Sequence, residues 1–469
     1  MKKKIIIIVV CLVVYLLMGA MLPFIYHPKI SKETEEDVQN TQFINEEVTD
    51  ERAYVIVDNG EALEERIRMI SQAKNNIVMS TFEMRSDESG KKVLAALYSA
   101  AVRGVHVQCI LDGSTELLNM KGNEYFYALS TLENVEIRIY NPISLLRPWS
   151  IMGRLHDKYL IVDEELYILG GRNTYDYFLG DQPGYKNYDW DVLVYNQEKR
   201  ERDSMNQLLS YFNNIWNLPE NKVFGKDGKL RKKKSVKLAT EEIKELYYDM
   251  QQQNPDWFEP MDYVEKTKPV NHIQLISNPI TYYSKEPIAY YTITELMKSA
   301  KEEVVFHTPY IICNDWMLGR LTEVSDTVPK VTMLTNSVAN NGNPFGAVDY
   351  LKNKPELLDT GIQILEYDGG ISYHGKCFVI DHNLSAIGSF NWDMRSAYID
   401  TELMLVIDSE EINKDLRQAM ASYEEEALVV IDEENYILPE GVVPQEITKK
   451  RERRIRVLKI FGKPFRFLM

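Results

Sequence analysis

The amino-acid sequence predicts an α/β fold, built as two tandem α/β sandwich domains behind an N-terminal transmembrane helix. Three observations carry this. One pattern occurs twice, 218 positions apart as from His156 to His374: His156-Asp157-Lys158, Asp163 and Gly170-Gly171-Arg172-Asn173, then His374-Gly375-Lys376, Asp381 and Gly388-Ser389-Phe390-Asn391. Repetition in register is poorly explained by chance. Each half alternates strand-like and helix-like segments, the order of an α/β sandwich. The chain also begins with Ile5 to Ile25, 21 residues without a charge.

Taken in order, Met1-Lys2-Lys3-Lys4 (1-4) is expected in the cytoplasm. Residues 5-25 then span about 30 Å at about 1.5 Å per residue, the thickness of a bilayer core. A cleaved signal peptide is the competing reading. Met18-Gly19-Ala20 is a poor cleavage site and the apolar run continues past it, which favours an uncleaved anchor. Lysines before the span place the N-terminus inside and the body outside the cytoplasm, although His27, Lys29 and Lys32 weaken the bias. Residues 26-52 read as an acidic, solvated stalk, with eight acidic residues in 33–51.

The first domain is expected over 53-218. A helix over Glu61 to Lys74 puts Leu63, Ile67 and Ile70 on one face. A strand from Asn76 to Phe82, a helix from Lys91 to Arg103 and a strand from Val105 to Leu111 follow. Residues 219-270 read as a linker or insertion, with seven Lys or Arg in 226–237 and a helix near 241–251. A solvated linker is favoured there over a lipid-headgroup contact. Its aromatic stretch Pro255 to Pro260 fits either a cover on a core edge or a segment dipping into a membrane interface. The second domain, 271-432, repeats the order with helices at Ile288 to Ala300 and Trp316 to Glu323, and strands at Glu303 to Thr308, Val331 to Thr335 and Ile362 to Tyr367. Residues 433-469 form a basic amphipathic tail, in which Ile447, Ile455, Leu458 and Phe461 fall at helical steps and Gly462 and Pro464 stop the helix. It is expected to lie on an anionic membrane.

Net charge is −16, yet residues 449–469 alone carry nine Lys or Arg and one Glu. A body that acidic argues against a broad nucleic-acid surface, so no nucleic acid is expected as partner. Cys11, Cys109, Cys313 and Cys377 show no paired spacing and read as free thiols.

The duplicated pattern carries the chemistry. Leu155 to Val162 and Cys377 to Ile380 read as strands, and period-2 alternation puts His156 and Lys158 on one face, and His374 and Lys376 on one face. An imidazole, a fixed cation and an amide in each copy suit attack on a phosphodiester. At Gly170 and Gly388 the missing side chain is expected to let backbone approach a phosphate. Two surface strands with solvated His and Lys would leave the repetition unexplained. A metal site fails on ligand count, since each copy offers one His beside a Lys; no metal or other cofactor is expected.

These residues resemble the phospholipase D superfamily, whose signature is H-x-K-x4-D followed by G-[GS]-x-N. The second copy continues as Trp392-Asp393-Met394-Arg395-Ser396 and Thr401-Glu402, similar to bacterial cardiolipin synthases. Asp189-Trp190-Asp191-Val192-Leu193, His307-Thr308-Pro309-Tyr310 and Leu334-Thr335-Asn336-Ser337 are most similar to their C-type branch. The resemblance spans about 53–408, and departs from many relatives at Asp400. It implies that both motifs meet at the domain interface in one site. One histidine attacks phosphorus to form a phosphohistidine, and the other protonates the leaving alcohol and then deprotonates the acceptor. His156 is narrowly favoured over His374 as nucleophile. Lys158, Lys376, Asn173, Asn391 and Ser389 are expected at the non-bridging oxygens, Asp191 (with Asp189 as rival) and Glu402 behind the histidines, and Asp163 and Asp381 in structural roles. His307 either lines the pocket or is structural.

The function expected is a membrane-anchored phosphatidyltransferase, with phosphatidylglycerol and a membrane surface as partners. A phospholipase D would use the same residues. A nuclease and a non-catalytic lipid-binding protein rank lower, the first for its charge, the second because both motifs are intact.

Overall fold

A computed structural model describes residues 2–198, 203–461 and 463–469. The expected alternation is present in both halves. Asn59–Gln72 is helical because Leu63, Ile67 and Ile70 recur on one buried face, and Asp58 caps it by accepting from the Gly60 and Glu61 N–H groups. Asn76–Thr81, Glu88–Val102 and His106–Asp112 follow. The second half repeats this with Ile288–Met297, Glu303–His307, Asp315–Thr327 and Lys330–Asn336.

Each half builds one nine-stranded mixed sheet. In the first, Asn76–Thr81, His106–Asp112 and Val135–Tyr140 run parallel, and Tyr159–Val162, Leu166–Gly170, Asp191–Asn196 and Glu51–Ile56 add on antiparallel. The second has the same order, with Glu303–His307, Lys330–Asn336 and Gln363–Tyr367 parallel, then Cys377–Ile380, Leu384–Gly388, Leu403–Asp408 and His272–Ser277 antiparallel. Helices cover the outer face of each sheet in two separate cores. The inner faces share a third core, where Val55, Ile161, Leu169 and Val192 meet Val379, Ile387 and Leu405. The layers are therefore helix, sheet, sheet, helix, with the two domains joined by burial of both sheet faces.

Three segments differ from expectation. Residues 219–270 are part of the first domain: Lys222–Val223 pairs with Val135–Tyr140, Lys268–Pro269 pairs with Glu51–Ile56, and Lys234–Gln253 buries Val236, Ile243 and Met250 in the first core. Trp257 and Phe258 pack on that core, which decides for the cover. The acidic stalk is docked as well. Phe43 packs on the second domain's core, Asn45 N donates to Asp408 (2.9 Å), and the first strand already starts at Glu51; just before the stalk, Phe24 at the end of the apolar helix is fully buried in that core.

The basic tail folds back on the second domain. Its helix Lys449–Phe461 places Ile455 in the core, as does Leu468 beyond it, and Arg466 pairs with Asp349 at 2.6 Å. The apolar end is thus largely used by the protein itself. Gly462, expected to stop the helix, lies outside the described residues.

Candidate active site

Each histidine sits where a short strand contact crosses between domains. Leu155 bridges Thr401, and Ser372–Tyr373 pairs with Asn187–Tyr188. His156 N then donates to Thr401 Oγ1 (3.0 Å) and His374 N to the Tyr188 carbonyl (2.6 Å). The side chains cross the interface in the same way. His156 Nδ1 lies 2.8 Å from Glu402 Oε1, and His374 Nδ1 lies 2.6 Å from Asp189 Oδ2. Phe82 and Phe178 meet the two rings edge-on at 5.3 and 5.0 Å. With each Nδ1 engaged by a carboxylate, Nε2 is the ring nitrogen available to a reactant, although Lys376 Nζ lies 3.3 Å from that of His374. Both histidines line one cavity of about 350 Å³, with Asn173 and Tyr310.

The electrostatics favour neutral imidazoles. Burial, reinforced by Lys158, holds His156 well below its ordinary value. Burial and then Lys376 push His374 down to about 4, against the pull of Asp189. Burial raises Glu402 to about 7, opposed by Lys158 and by the Ser389 and Ser396 hydroxyls. Burial would raise Asp189 too, but Lys376 and His374 outweigh it and its carboxyl ends below the usual range. One histidine therefore faces a firmly ionised carboxylate and the other a carboxylate close to half-protonated at neutral pH.

The lysines lie buried behind the rings. Lys158 Nζ donates to the His156 carbonyl and Lys376 Nζ to the His374 carbonyl. Burial lowers both, and Lys376 to about 8, with Asp189 opposing from 3.8 Å. Lys376 Nζ is also 2.6 Å from His374 Nδ1. A proton on Nδ1 directed at Asp189 makes that approach a repulsive one, in keeping with the lowered values of both groups. Asn173 Oδ1 accepts from Glu83 N at 3.3 Å, leaving its amide N–H groups for the cavity. Asn391 Nδ2 reaches Tyr310 OH at 3.2 Å, and its buried Oδ1 has no hydrogen-bond partner.

Three expectations are corrected, and the alternative left open at His307 is decided. Asp191 touches neither histidine; it is fully buried between Arg66 (2.8 Å) and Arg172 (3.3 Å). Asp189 holds the place assigned to it. Ser389 does not face the cavity: it is fully buried and donates to Glu402 Oε2 (2.5 Å), while Ser396, which sequence reasoning missed, donates to Oε1 (2.6 Å). Gly170 and Gly388 make room for neighbouring strands rather than for a phosphate, since a Cβ would meet the Asp191 Cα at 2.6 Å and the Met404 Cα at 2.8 Å. His307 is buried between Tyr373 OH (2.9 Å) and Glu424 (3.0 Å), which makes it structural.

Asp163 and Asp381 lie away from the cavity in turns with positive φ, and each accepts three backbone N–H groups: Lys74, Asn75 and Asn76 for one, Lys301, Glu302 and Glu303 for the other. A second basin of about 550 Å³ adjoins the first and shares Tyr177, Tyr185, Asn341, Gly342 and Ser372 with it. The tail helix supplies Lys450, Arg451 and Arg454 to its wall, and none of its lining residues is acidic.

A family model described as "Cardiolipin synthase, PLD-like domain" matches residues 66–216 and 293–423, one stretch in each domain. The chain belongs to this phospholipase D-like family. Cardiolipin synthase C of Escherichia coli (strain K12) is 24% identical over 75% of this chain and 80% of its own length. A cardiolipin synthase of Alkalihalophilus pseudofirmus is 24% identical over 74% of this chain and 61% of its own length. An uncharacterized protein of Helicobacter pylori (strain ATCC 700392 / 26695) is 25% identical over 83% of this chain and 82% of its own. The crystal structure of phosphatidylserine synthase from Haemophilus influenzae Rd KW20 superposes with a TM-score of 0.65 at 15% identity, over 93% of this chain and 98% of that one. That likeness is one of fold. As a member of the PLD-like cardiolipin synthase family, the chain is an enzyme.

Proposed function

We propose that the chain is a membrane-anchored phosphatidyltransferase that converts two phosphatidylglycerols to cardiolipin and glycerol through a phosphohistidine. The observation that carries the reading is the pair of crossed histidine–carboxylate contacts around one cavity. His156 Nε2 attacks the donor phosphorus, and the bond from phosphorus to the glycerol oxygen breaks. His374 protonates that oxygen as glycerol leaves. It then takes the proton of the acceptor hydroxyl, whose oxygen attacks phosphorus and frees His156. The ionised Asp189 supports His374 as the acid, since it stabilises an imidazolium. Glu402, raised to about 7, does so less and suits a neutral nucleophile at His156. An entering phosphodiester anion raises the proton affinity of both rings. Lys158 and Lys376, with the Asn173 amide, offset charge on the non-bridging oxygens.

Hydrolysis by water would use the same residues. The basin with three cations and no acid, open to the cavity, favours a second anionic lipid over water as acceptor. The 23-residue apolar helix, Lys2–Phe24, supports the anchor, and the lysines before it support a cytoplasmic N-terminus with both domains outside.

The test is substitution of each histidine by alanine in the full chain, with products separated from phosphatidylglycerol vesicles. Each change should abolish turnover while leaving the thermal transition in place, and an activated phosphodiester should leave a phosphoryl adduct on His156 in His374→Ala. An adduct on His374 reverses the roles, and retained turnover in either variant rejects the two-histidine mechanism.

A further inference from the structure

The segment that leads into the His156 motif carries an apolar tip with no cover from the protein. Leu145 is 67% and Leu146 84% exposed, and Ile151 is exposed as well. The tip does not stand free: it lies along the N-terminal helix. Tyr15 OH donates to the Leu146 carbonyl at 3.0 Å, and a Cβ on Gly19 would meet the Pro148 ring at 2.9 Å. Tyr15 lies well inside the apolar span, six residues before the helix end at Met21, so the tip meets the helix within the span and not beyond it.

We infer that residues 144–151 dip into the membrane beside the N-terminal helix, with a lipid bilayer as their partner. This rests on the anchor reading above and extends it to a second, non-helical contact. Immersion demands that backbone polar groups be satisfied internally, and four N–H groups in the segment or at its end are. Arg147 N donates to the Ser144 carbonyl (3.0 Å), Ser150 N to Arg147 (2.9 Å), Met152 N to Trp149 (3.1 Å), and Ser144 N to Ser150 Oγ (2.9 Å). The Tyr15 hydroxyl and the Leu146 carbonyl, each unsuited to lipid alone, satisfy one another.

The same segment is tied to the catalytic motif. Arg154 bonds the Ser150 carbonyl and the Asn141 carbonyl (3.1 Å), and Asn141 Nδ2 donates to the Gly153 carbonyl (2.8 Å). Arg154 N donates to Asp400 (3.0 Å), two residues before His156. Insertion of the tip therefore fixes the height of the cavity above the lipid surface.

The experiment places single cysteines at 145, 146, 11 and 102 in the full-length protein with Cys11→Ser as background where needed; the other cysteines are buried. Each carries an environment-sensitive fluorophore in phosphatidylglycerol-containing vesicles, with nitroxides on the lipid chains as quencher. Val102 is the aqueous control. It is 63% exposed and precedes His106–Asp112, which runs parallel to the strand that leads into the tip, so it lies at the far end of the sheet. Labels at 145, 146 and 11 should be quenched and the label at 102 should not. Quenching at 11 with none at 145 and 146 overturns the inference and leaves the anchor standing; no quenching at 11 overturns both. In parallel, Leu145→Ser with Leu146→Ser should lower turnover of vesicle phosphatidylglycerol about five- to tenfold and leave a soluble short-chain substrate unaffected. Equal losses on both substrates would assign the tip a folding role instead.

Discussion

Asp189 Oδ2 lies 2.6 Å from His374 Nδ1, and the two residues belong to different domains. The reverse pair, His156 with Glu402, crosses the same interface in the opposite sense. Neither domain alone holds a histidine together with its carboxylate. The shared core between the sheets thus positions the imidazoles as well as stabilising the fold.

Asp189→Asn and Asp191→Asn should consequently separate. The amide at 189 presents N–H to Nδ1 and favours the wrong tautomer, a change that costs a serine protease about 10⁴ in kcat. A loss of about 10² to 10⁴ in kcat is expected here. Asp191 is buried between two arginines, and removing its charge leaves them uncompensated, at a cost of about 3–5 kcal/mol in stability. Its folded fraction should turn over normally. Steady-state kinetics with thermal unfolding of both variants decides, and similar kcat losses would reject the assignment.

The choice between these carboxylates was legible only through the sheet register. Gly170 pairs with Asp191 and Gly388 with Met404, so Asp191 corresponds to Met404, and Asp189, two residues earlier, corresponds to Glu402. Counting along the chain does not reveal this, because the segments between glycine and carboxylate differ in length. The duplicated motif, the α/β order and the apolar helix were legible because each is a local pattern. The docking of residues 26–50 and of the tail was not. Their composition reads as solvated, and the side chains that bind them, Phe43, Ile455 and Leu468, are few and far apart in sequence.

Activity should fall as pH rises through the Lys376 ammonium. Burial sets that group at about 8, and loss of its proton removes positive charge from behind the cavity. The kcat/KM profile of a soluble phosphodiester reports the free enzyme. The acid role of His374, a group held at about 4 in the free enzyme, already makes kcat/KM decline with rising pH, and a steeper alkaline limb near pH 8 is expected on top of it from Lys376. A profile that does not steepen up to pH 9.5 would contradict this role of Lys376.

Turnover should survive exhaustive chelation. Both Nδ1 atoms are committed to carboxylates, and the buried Lys158 and Lys376 already bring positive charge behind the two rings. Specific restoration by one divalent ion after chelation would contradict the lysine role.

Deleting residues 447–469 should destabilise the second domain, since it strips Ile455 and Leu468 from the core and the Arg466 partner from Asp349. Loss of buried side chains of this size costs about 2–5 kcal/mol each. A lowered thermal transition is expected, with vesicle binding retained through the N-terminal helix. An unchanged transition would return the tail to the membrane-surface role its charge suggests.

The basin beside the cavity yields the sharpest test of transfer against hydrolysis. Arg451 donates to the Ala339 carbonyl (2.6 Å) and to Asn341, so it holds the wall, whereas Lys450 and Arg454 are exposed and line the basin. Each cation near an anionic lipid contributes about 1 kcal/mol, so removing both shifts the occupancy of a second phosphatidylglycerol about tenfold or more. Water needs no such help. Lys450→Gln with Arg454→Gln should therefore lower the ratio of cardiolipin to phosphatidic acid by about that factor, with total donor consumption largely kept. Raising salt should produce the same shift in the parent enzyme by screening. If transfer and hydrolysis fall together, the basin serves the donor; if neither changes, it serves no lipid.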